Sequence, residues 1–158
     1  MGNITLAKLL KELIVLILLS TSTTVAMAHS SNEKNPYIVH RQGIYQVAGG
    51  HMFALKSILM LNHPAKADVT YHAKGILEAF KHHGNAFPKG SKKGKTHAKR
   101  EIWTDSEKFK QRGQETGKAI MKLIDASENS HDKAIKMAFM HLGKSCKNCH
   151  DDFRKKSD

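Results

Sequence analysis

Apolar residues recur at alternating intervals of three and four positions in four segments of the chain, and this spacing strongly constrains the fold. Residues three and four positions apart lie on one face of an α-helix, so each segment predicts a helix with one buried face. The first face consists of Ile38, Arg41, Tyr45, Ala48, Met52, Leu55 and Leu59. The others consist of Val69, Ala73, Ile76 and Phe80; of Phe109, Gly113, Thr116, Ile120 and Leu123; and of Ile135, Phe139, Leu142, Cys146, Cys149 and Phe153. We therefore predict an all-α fold, an antiparallel four-helix bundle.

Residues that start and stop helices separate these segments. Pro36 is placed to begin the first helix, and Pro64 is placed to end it. Thr104, with Glu107 three positions later, has the pattern of a capping box and predicts the start of the third helix. The fourth helix is expected to begin after Ser130.

The connection between the second and third helices is long for a bundle. Residues 84–103 hold three glycines and a proline, with six basic side chains against a single acidic one. We expect a solvated crossover loop that contributes much of the formal net charge of +12.

The first 28 residues have the layout of a secretory signal peptide. Lys8 and Lys11 precede an apolar run at positions 13–19, and residues 26–28 match an A-x-A cleavage site. A membrane anchor is the alternative. Serines and threonines at positions 20–24 interrupt the apolar stretch, however, and a spanning helix needs about 20 mainly apolar residues. The segment therefore predicts export to the periplasm with cleavage after Ala28.

Export determines which partners the mature domain, residues 29–158, can meet. Cleavage removes two lysines and one glutamate, so the net charge changes from +12 to +11. The periplasm argues against nucleic acid as a natural partner. The charge then favours docking to an acidic protein or to an anionic membrane surface.

Both cysteines of the chain lie in one short motif, Cys146-Lys147-Asn148-Cys149-His150. C-x-x-C-H is the attachment motif of c-type haem. On a helix the two cysteines and the histidine share a face, so the thiols can form thioethers with the haem vinyl groups and the imidazole can reach the iron. A structural disulfide and a thioredoxin-like redox pair are alternatives, although the pair calls for a βαβ context that the pattern lacks. A zinc site would need further thiolate or histidine ligands nearby.

With this motif at the end of the last helix, the chain resembles cytochrome c′, the class II c-type cytochromes. Residues 37–42 (YIVHRQ) resemble the start of the family's first helix. Residues 86–90 (AFPKG) and 101–103 (EIW) resemble its crossover loop, and residues 143–154 are similar to its last helix. The resemblance covers nearly all of the mature domain. It implies one covalent haem c, bound through Cys146 and Cys149.

The resemblance also assigns roles to four single residues. It implies that His150 is the proximal iron ligand and that Arg154 lies beside it, although Arg154 could instead be a solvated tail charge. It implies that Arg41, a charge on an otherwise apolar seam, pairs with a haem propionate, which would offset its cost of burial. It places Tyr45 on the distal side, where a neutral phenol is a poor iron ligand.

These assignments lead to a functional expectation. Tyr45 should shield a vacant sixth position, so we expect five-coordinate, high-spin iron that binds small gases such as NO and CO, transfers electrons, or does both. The alternatives are a low-spin electron carrier with six-coordinate iron and a haem-free protein that binds polyanions. An enzyme is the least supported class. The positive charge favours acidic redox proteins as partners, and the resemblance is compatible with a homodimer through the first helices.

Three further expectations concern residues around this site. Met52 could reach the iron, but a core position is the simpler interpretation. Gly49 and Gly50 are costly within a helix and should permit close approach by the haem or a neighbouring helix. The histidines other than His150 should lie at the surface, where the His82-His83 pair could bind adventitious metal.

Overall fold

The computed structural model describes residues 33–156, and four long helices account for most of them. The long helices are α1 (Pro36–Met60), α2 (Val69–Phe80), α4 (Ser106–Asn129) and α5 (Asp132–Phe153), and the single-turn helix α3 (Glu101–Thr104) precedes α4. The predicted four-helix pattern is thus confirmed. The proposed signal peptide lies outside the described residues.

Both ends of α1 follow from local chemistry. The Asn35 side chain accepts a hydrogen bond of 3.1 Å from the backbone N–H of Tyr37, and Pro36 occupies the first turn, where no N–H is needed. The helix ends at Met60, and Asn62 then adopts a left-handed conformation with φ of 58°. The chain can therefore turn before Pro64.

The capping residue of α4 lies one position later than predicted. Asp105, not Thr104, is the capping residue: its backbone, with φ of −127° and ψ of 57°, is not helical, and its side chain accepts from the N–H of Lys108 at 3.4 Å. Thr104 instead ends the single turn of α3. Both Thr104 and Asp105 are residue types that can cap a helix. Because Thr104 belongs to the helical turn of residues 101–104, Asp105 is the residue that caps α4.

The core lies where the four apolar faces meet. Helix α1 packs along α2, α5 packs along α4, and contacts between α2 and α4 join the two pairs. The buried cluster consists of Leu55, Ile58, Leu59, Val69, Ala73, Ile76, Ala119, Ile120, Leu123, Ile124, Phe139 and Leu142. These residues belong largely to the predicted seams. The core occupies the end of the bundle that holds the α1–α2 and α4–α5 connections.

The crossover segment is anchored more firmly than a solvated loop would be. Ser91 is buried, and its carbonyl accepts a hydrogen bond from Arg41. Further along, the backbone N–H of Lys99 donates to the carbonyl of Phe153 at 2.9 Å, and that of Lys155 donates to His97 at 2.7 Å. The segment therefore ties the start of α1 to the end of α5, while its lysines remain mostly exposed.

None of the described helices approaches closely at Gly49 or Gly50, so that part of the expectation was wrong. Nothing outside the helix lies within 4 Å of a Cβ placed at either residue, and both are exposed. Close approach between α1 and α2 occurs instead at Gly75, whose missing side chain leaves room for the ring of His51. Across residues 33–156, none of the helices combines the length and apolar character that crossing a membrane would require.

Candidate functional site

The C-x-x-C-H motif lies in the last two turns of α5. Cys146 and Cys149 are both half-buried, and neither is part of a disulfide. Burial raises the pKa of both thiols, and for Cys149 burial together with the neighbouring Cys146 raises it to about 11. The two sulfurs are therefore neutral at pH 7 and face the same side of the helix.

His150 lies at the end of α5, beside the residue that terminates the helix. Partial desolvation, and then the positive charge of Arg154, lower the pKa of His150. The imidazole is therefore favoured in its neutral form, which is the form that binds metals. Arg154 is exposed, and its backbone leaves the helix to form an isolated bridge with Ala98.

Arg41 is a buried cation whose guanidinium has hydrogen-bond partners for Nη2 but none for Nη1 in the described part of the chain. Its side chain is 3 % exposed, and Nη2 donates to the carbonyl of Ser91 at 2.9 Å and to the hydroxyl of Thr96 at 3.0 Å. The guanidinium lies 5.0 Å from the ring centre of Phe87 and 5.9 Å from that of Trp103. Nη1 has no hydrogen-bond partner, and no carboxylate of residues 33–156 forms an ion pair with this side chain.

Tyr45 lies one helical turn after Arg41, on the same face of α1. Its hydroxyl is 2.5 Å from Nδ1 of His83, and its ring centre is 6.2 Å from that of Phe87. Burial raises the pKa of Tyr45 well above its ordinary value. Tyr45 is therefore a neutral phenol whose hydroxyl is paired with His83.

His83 is the functional candidate that the sequence analysis missed. It was expected at the surface, but it is 8 % exposed, stacks on Phe80 with ring centres 4.7 Å apart, and lies 4.8 Å from the ring centre of Phe109. Burial lowers its pKa to about 4. One signal could have revealed it: position 83 is three residues after Phe80 and continues the 3–4 spacing of the α2 seam.

Aromatic rings line the space between these polar groups. Phe109 contacts both Phe87 and Phe153 edge to face, at 5.0 and 5.1 Å between ring centres. The indole nitrogen of Trp103 donates to the carbonyl of Phe87 at 3.0 Å, which holds the crossover segment against this cluster. The lining is therefore apolar, as a flat macrocycle requires.

Two other residues complete the surroundings. Met52 is partly buried and packs against the hydrophobic core, as the simpler interpretation expected. Asp152 accepts hydrogen bonds from Arg112 at 2.9 Å and Lys108 at 3.1 Å, and these bonds lower its pKa. Within residues 33–156 no three or more His, Cys, Asp or Glu side chains converge as a zinc site would require.

A family model described as cytochrome C′ matches residues 37–154, which include all of the four-helix region except Pro36. The chain belongs to the cytochrome c′ family. Members of this family bind one covalent haem c, so the chain is a haem cytochrome.

Individual relatives agree with this assignment. The chain is 28 % identical to a cytochrome c′ of Rhodospirillum rubrum over 146 residues, which cover 92 % of this chain and 99 % of the relative. The structure is similar to cytochrome c prime from Shewanella frigidimarina, with a TM-score of 0.72, 29 % identity and coverage of 76 % of this chain and 94 % of that one. A nitric oxide complex of a variant cytochrome c prime from Alcaligenes xylosoxidans gives a TM-score of 0.71 at 28 % identity, with coverage of 77 % and 94 %.

The residues present fit the cofactor of the family. A haem c has two thioether links, an axial ligand to the iron, an apolar ring and two propionates. The site offers two thiols on one face of α5, a histidine directly after them, aromatic walls, and a buried guanidinium with Nη1 free for a carboxylate. Because a buried cation without a counter-ion is costly, Arg41 is the best evidence that an acidic group belongs here.

Proposed function

We propose that this chain is a periplasmic monohaem cytochrome with five-coordinate, high-spin iron that binds small gases such as NO and CO and transfers electrons. Cys146 and Cys149 attach the haem, and His150 is the proximal ligand. When bound, the haem supplies an iron centre that changes oxidation state and takes up a gas molecule. Tyr45 carries the proposal. It is buried, and burial raises its pKa, so the phenol stays neutral and would be a poor sixth ligand at the distal position that the family resemblance implies for it.

Other residues act by orienting the haem and excluding water. Arg41 would hold a propionate through Nη1, while its Nη2 keeps the crossover segment in place. Arg154 would keep positive charge beside His150, in line with the lowered pKa of that imidazole. The aromatic cluster around Phe87 and Phe109, whose rings pack edge to face, would help to exclude water from the bound haem.

Spectroscopy of the purified holoprotein tests the proposed iron state. Optical and EPR spectra of the ferric form should be high-spin, and the reduced form should bind CO and NO. A low-spin spectrum with a methionine-to-iron band, and no CO binding on reduction, would overturn the five-coordinate proposal. Retention of haem after acid–acetone extraction distinguishes a covalent cytochrome from a haem-free polyanion-binding protein.

Location and partners form a second part of the proposal. Cell fractionation should place the protein in the periplasm, and N-terminal sequencing should begin at His29. The exposed lysines of the crossover segment favour an acidic redox partner, so the electron-transfer rate should fall as salt rises. A cytoplasmic, uncleaved protein would contradict this part while leaving the haem chemistry intact.

A homodimer through α1 is the remaining partner proposal. Val47 is exposed on this helix, and Phe53 is 77 % exposed, which is unusual for a phenylalanine unless another surface covers it. Sedimentation of the holoprotein should show a dimer that Phe53→Ser weakens. The matched change Met137→Ser, on the exposed face of α5, should leave the dimer intact. A monomer at all concentrations would overturn this proposal.

A further inference from the structure

His83 is a buried polar side chain for which the proposed function has no role. Its Nδ1 is paired with the hydroxyl of Tyr45, but its Nε2 is buried and has no hydrogen-bond partner in the structure. Leaving a buried donor or acceptor unsatisfied costs about 1–3 kcal/mol. Such an atom in a rigid aromatic setting calls for a partner that occupies the site in the functional protein.

The chemistry of the pair determines which atom His83 offers. A phenol is a good donor and a weak acceptor, so the favourable arrangement has the Tyr45 hydroxyl donating to Nδ1. With its pKa lowered to about 4, the imidazole is neutral at pH 7 and carries one proton. That proton must then be on Nε2. His83 therefore presents an N–H donor, and Tyr45 holds it in that tautomer.

The contacts of this donor lie among the side chains of the proposed distal side. Nδ1 of His83 is paired with the Tyr45 hydroxyl, and Phe109 contacts both His83 and Phe153, the residue that ends the cysteine-bearing helix. On the α4 side, a Cβ at Gly113 would lie 2.9 Å from Nε2. Gly113 thus leaves room for the imidazole, and stacking on Phe80 fixes the plane of the ring.

We propose that His83 is a specificity-determining residue of the distal pocket, whose Nε2–H, oriented by Tyr45, donates a hydrogen bond to the small ligand bound at the haem. This inference rests on the proposed function and deepens it. The pocket would favour ligands whose outer atom accepts a hydrogen bond over ligands that cannot accept one. Tyr45 is then a positioning residue for the imidazole as well as a shield of the iron.

Carbon monoxide is the probe, because a donor near its outer atom lowers the C–O stretching frequency. In the reduced holoprotein, His83→Phe keeps an aromatic ring between Phe80 and Phe109 but removes the donor, so the frequency should rise. The matched variant His82→Phe alters the exposed neighbouring histidine and should leave the frequency unchanged. Loss of one hydrogen bond of about 0.5–1.5 kcal/mol corresponds to an affinity for the ligand about two- to tenfold weaker.

Two further variants test the geometry without removing the imidazole. Gly113→Ala should displace His83 and raise the C–O frequency, whereas Gly117→Ala, one turn later with nothing within 4 Å of its added Cβ, should not. Tyr45→Phe should broaden the band, because the imidazole is no longer held in one tautomer. These variants keep the haem-attachment residues, so visible spectra confirm that each carries haem.

The outcomes separate this inference from the proposed function. Normal CO binding with the same stretching frequency in wild type and His83→Phe overturns the role of His83 alone. A low-spin wild-type spectrum that becomes high-spin in His83→Phe shows His83 as an iron ligand, which overturns the donor role and the five-coordinate state together. No CO binding in any variant overturns the proposed function itself and, with it, the proposed role of His83.

Discussion

Nη2 of Arg41 donates a hydrogen bond of 2.9 Å to the carbonyl of Ser91, fifty residues further along the chain. The same nitrogen reaches the hydroxyl of Thr96, so one side chain of α1 holds two points of the crossover segment. Nη1 remains available at this junction for an acidic group of the cofactor. If Arg41 holds a haem propionate as proposed, the contact links the fold of the loop to the binding of haem.

Arg41→Met tests this link, because it keeps the apolar stem and removes both hydrogen bonds and the charge. We expect the free energy of unfolding of the holoprotein to fall by about 2–3 kcal/mol, since bonds to a buried charge are lost and Ser91 is left unsatisfied. Urea titration measures the change. Arg100→Met, at an exposed position of the same segment, is the control and should change stability by less than about 0.5 kcal/mol. Equal effects of the two changes would contradict the role of Arg41.

Two adjacent aspartates of α5 should differ in their contribution to stability. Asp152 is partly buried and accepts bonds from Arg112 and Lys108 of α4, whereas Asp151 forms an exposed pair with Lys147 of its own helix. Asp152→Asn should lower the free energy of unfolding by about 1 kcal/mol, and Asp151→Asn by close to none. The Asp152 effect should shrink in high salt. A larger loss for Asp151→Asn would show that the α4–α5 ion pairs do not contribute as described.

The features that could be predicted from the sequence are those that depend on the spacing of nearby residues. The 3–4 spacing and the prolines at 36 and 64 gave α1 with its correct extent, because helix periodicity and the missing N–H of proline act within a few residues. The C-x-x-C-H motif was likewise recognisable, since its chemistry needs only neighbouring positions on one helix face.

The remaining features depend on contacts between distant segments. The crossover loop is anchored by the hydrogen bond from Arg41 to the Ser91 carbonyl. The sequence near either residue does not predict this contact. The burial of His83 is a partly similar case. Its spacing from Phe80 favours a buried position over that of the exposed His82, but only the tertiary position of Phe109 closes the site around it. Polar residues at a functional site interrupt the apolar spacing that identifies a core. Periodicity alone therefore does not predict that such residues are buried.

Core packing at the far end of the bundle should dominate stability. Leu123 of α4 is fully buried within the main cluster, so Leu123→Ala should lower the free energy of unfolding by about 2–5 kcal/mol, through lost transfer energy and a residual cavity. Met121→Ala removes an exposed side chain two positions earlier and is the control, with an expected change below about 0.5 kcal/mol. Chemical denaturation of the holoprotein gives both values. Similar losses for the two variants would contradict the described orientation of α4.

Acid should destabilise the protein through His83. The pKa of this imidazole is lowered from 6.5 to about 4 in the folded state, so between these values the unfolded chain binds the extra proton and the folded protein does not. The contribution of His83 to the free energy of unfolding is therefore fully present above about pH 6.5 and is lost as the pH decreases toward 4. The free energy of unfolding falls by about 2–3 kcal/mol between pH 7.5 and pH 4.5. Urea titrations at the two pH values measure the fall. In His83→Phe the fall should be smaller by that amount, whereas His82→Phe should retain it. An unchanged pH dependence in His83→Phe would mean that the imidazole does not titrate as a buried group.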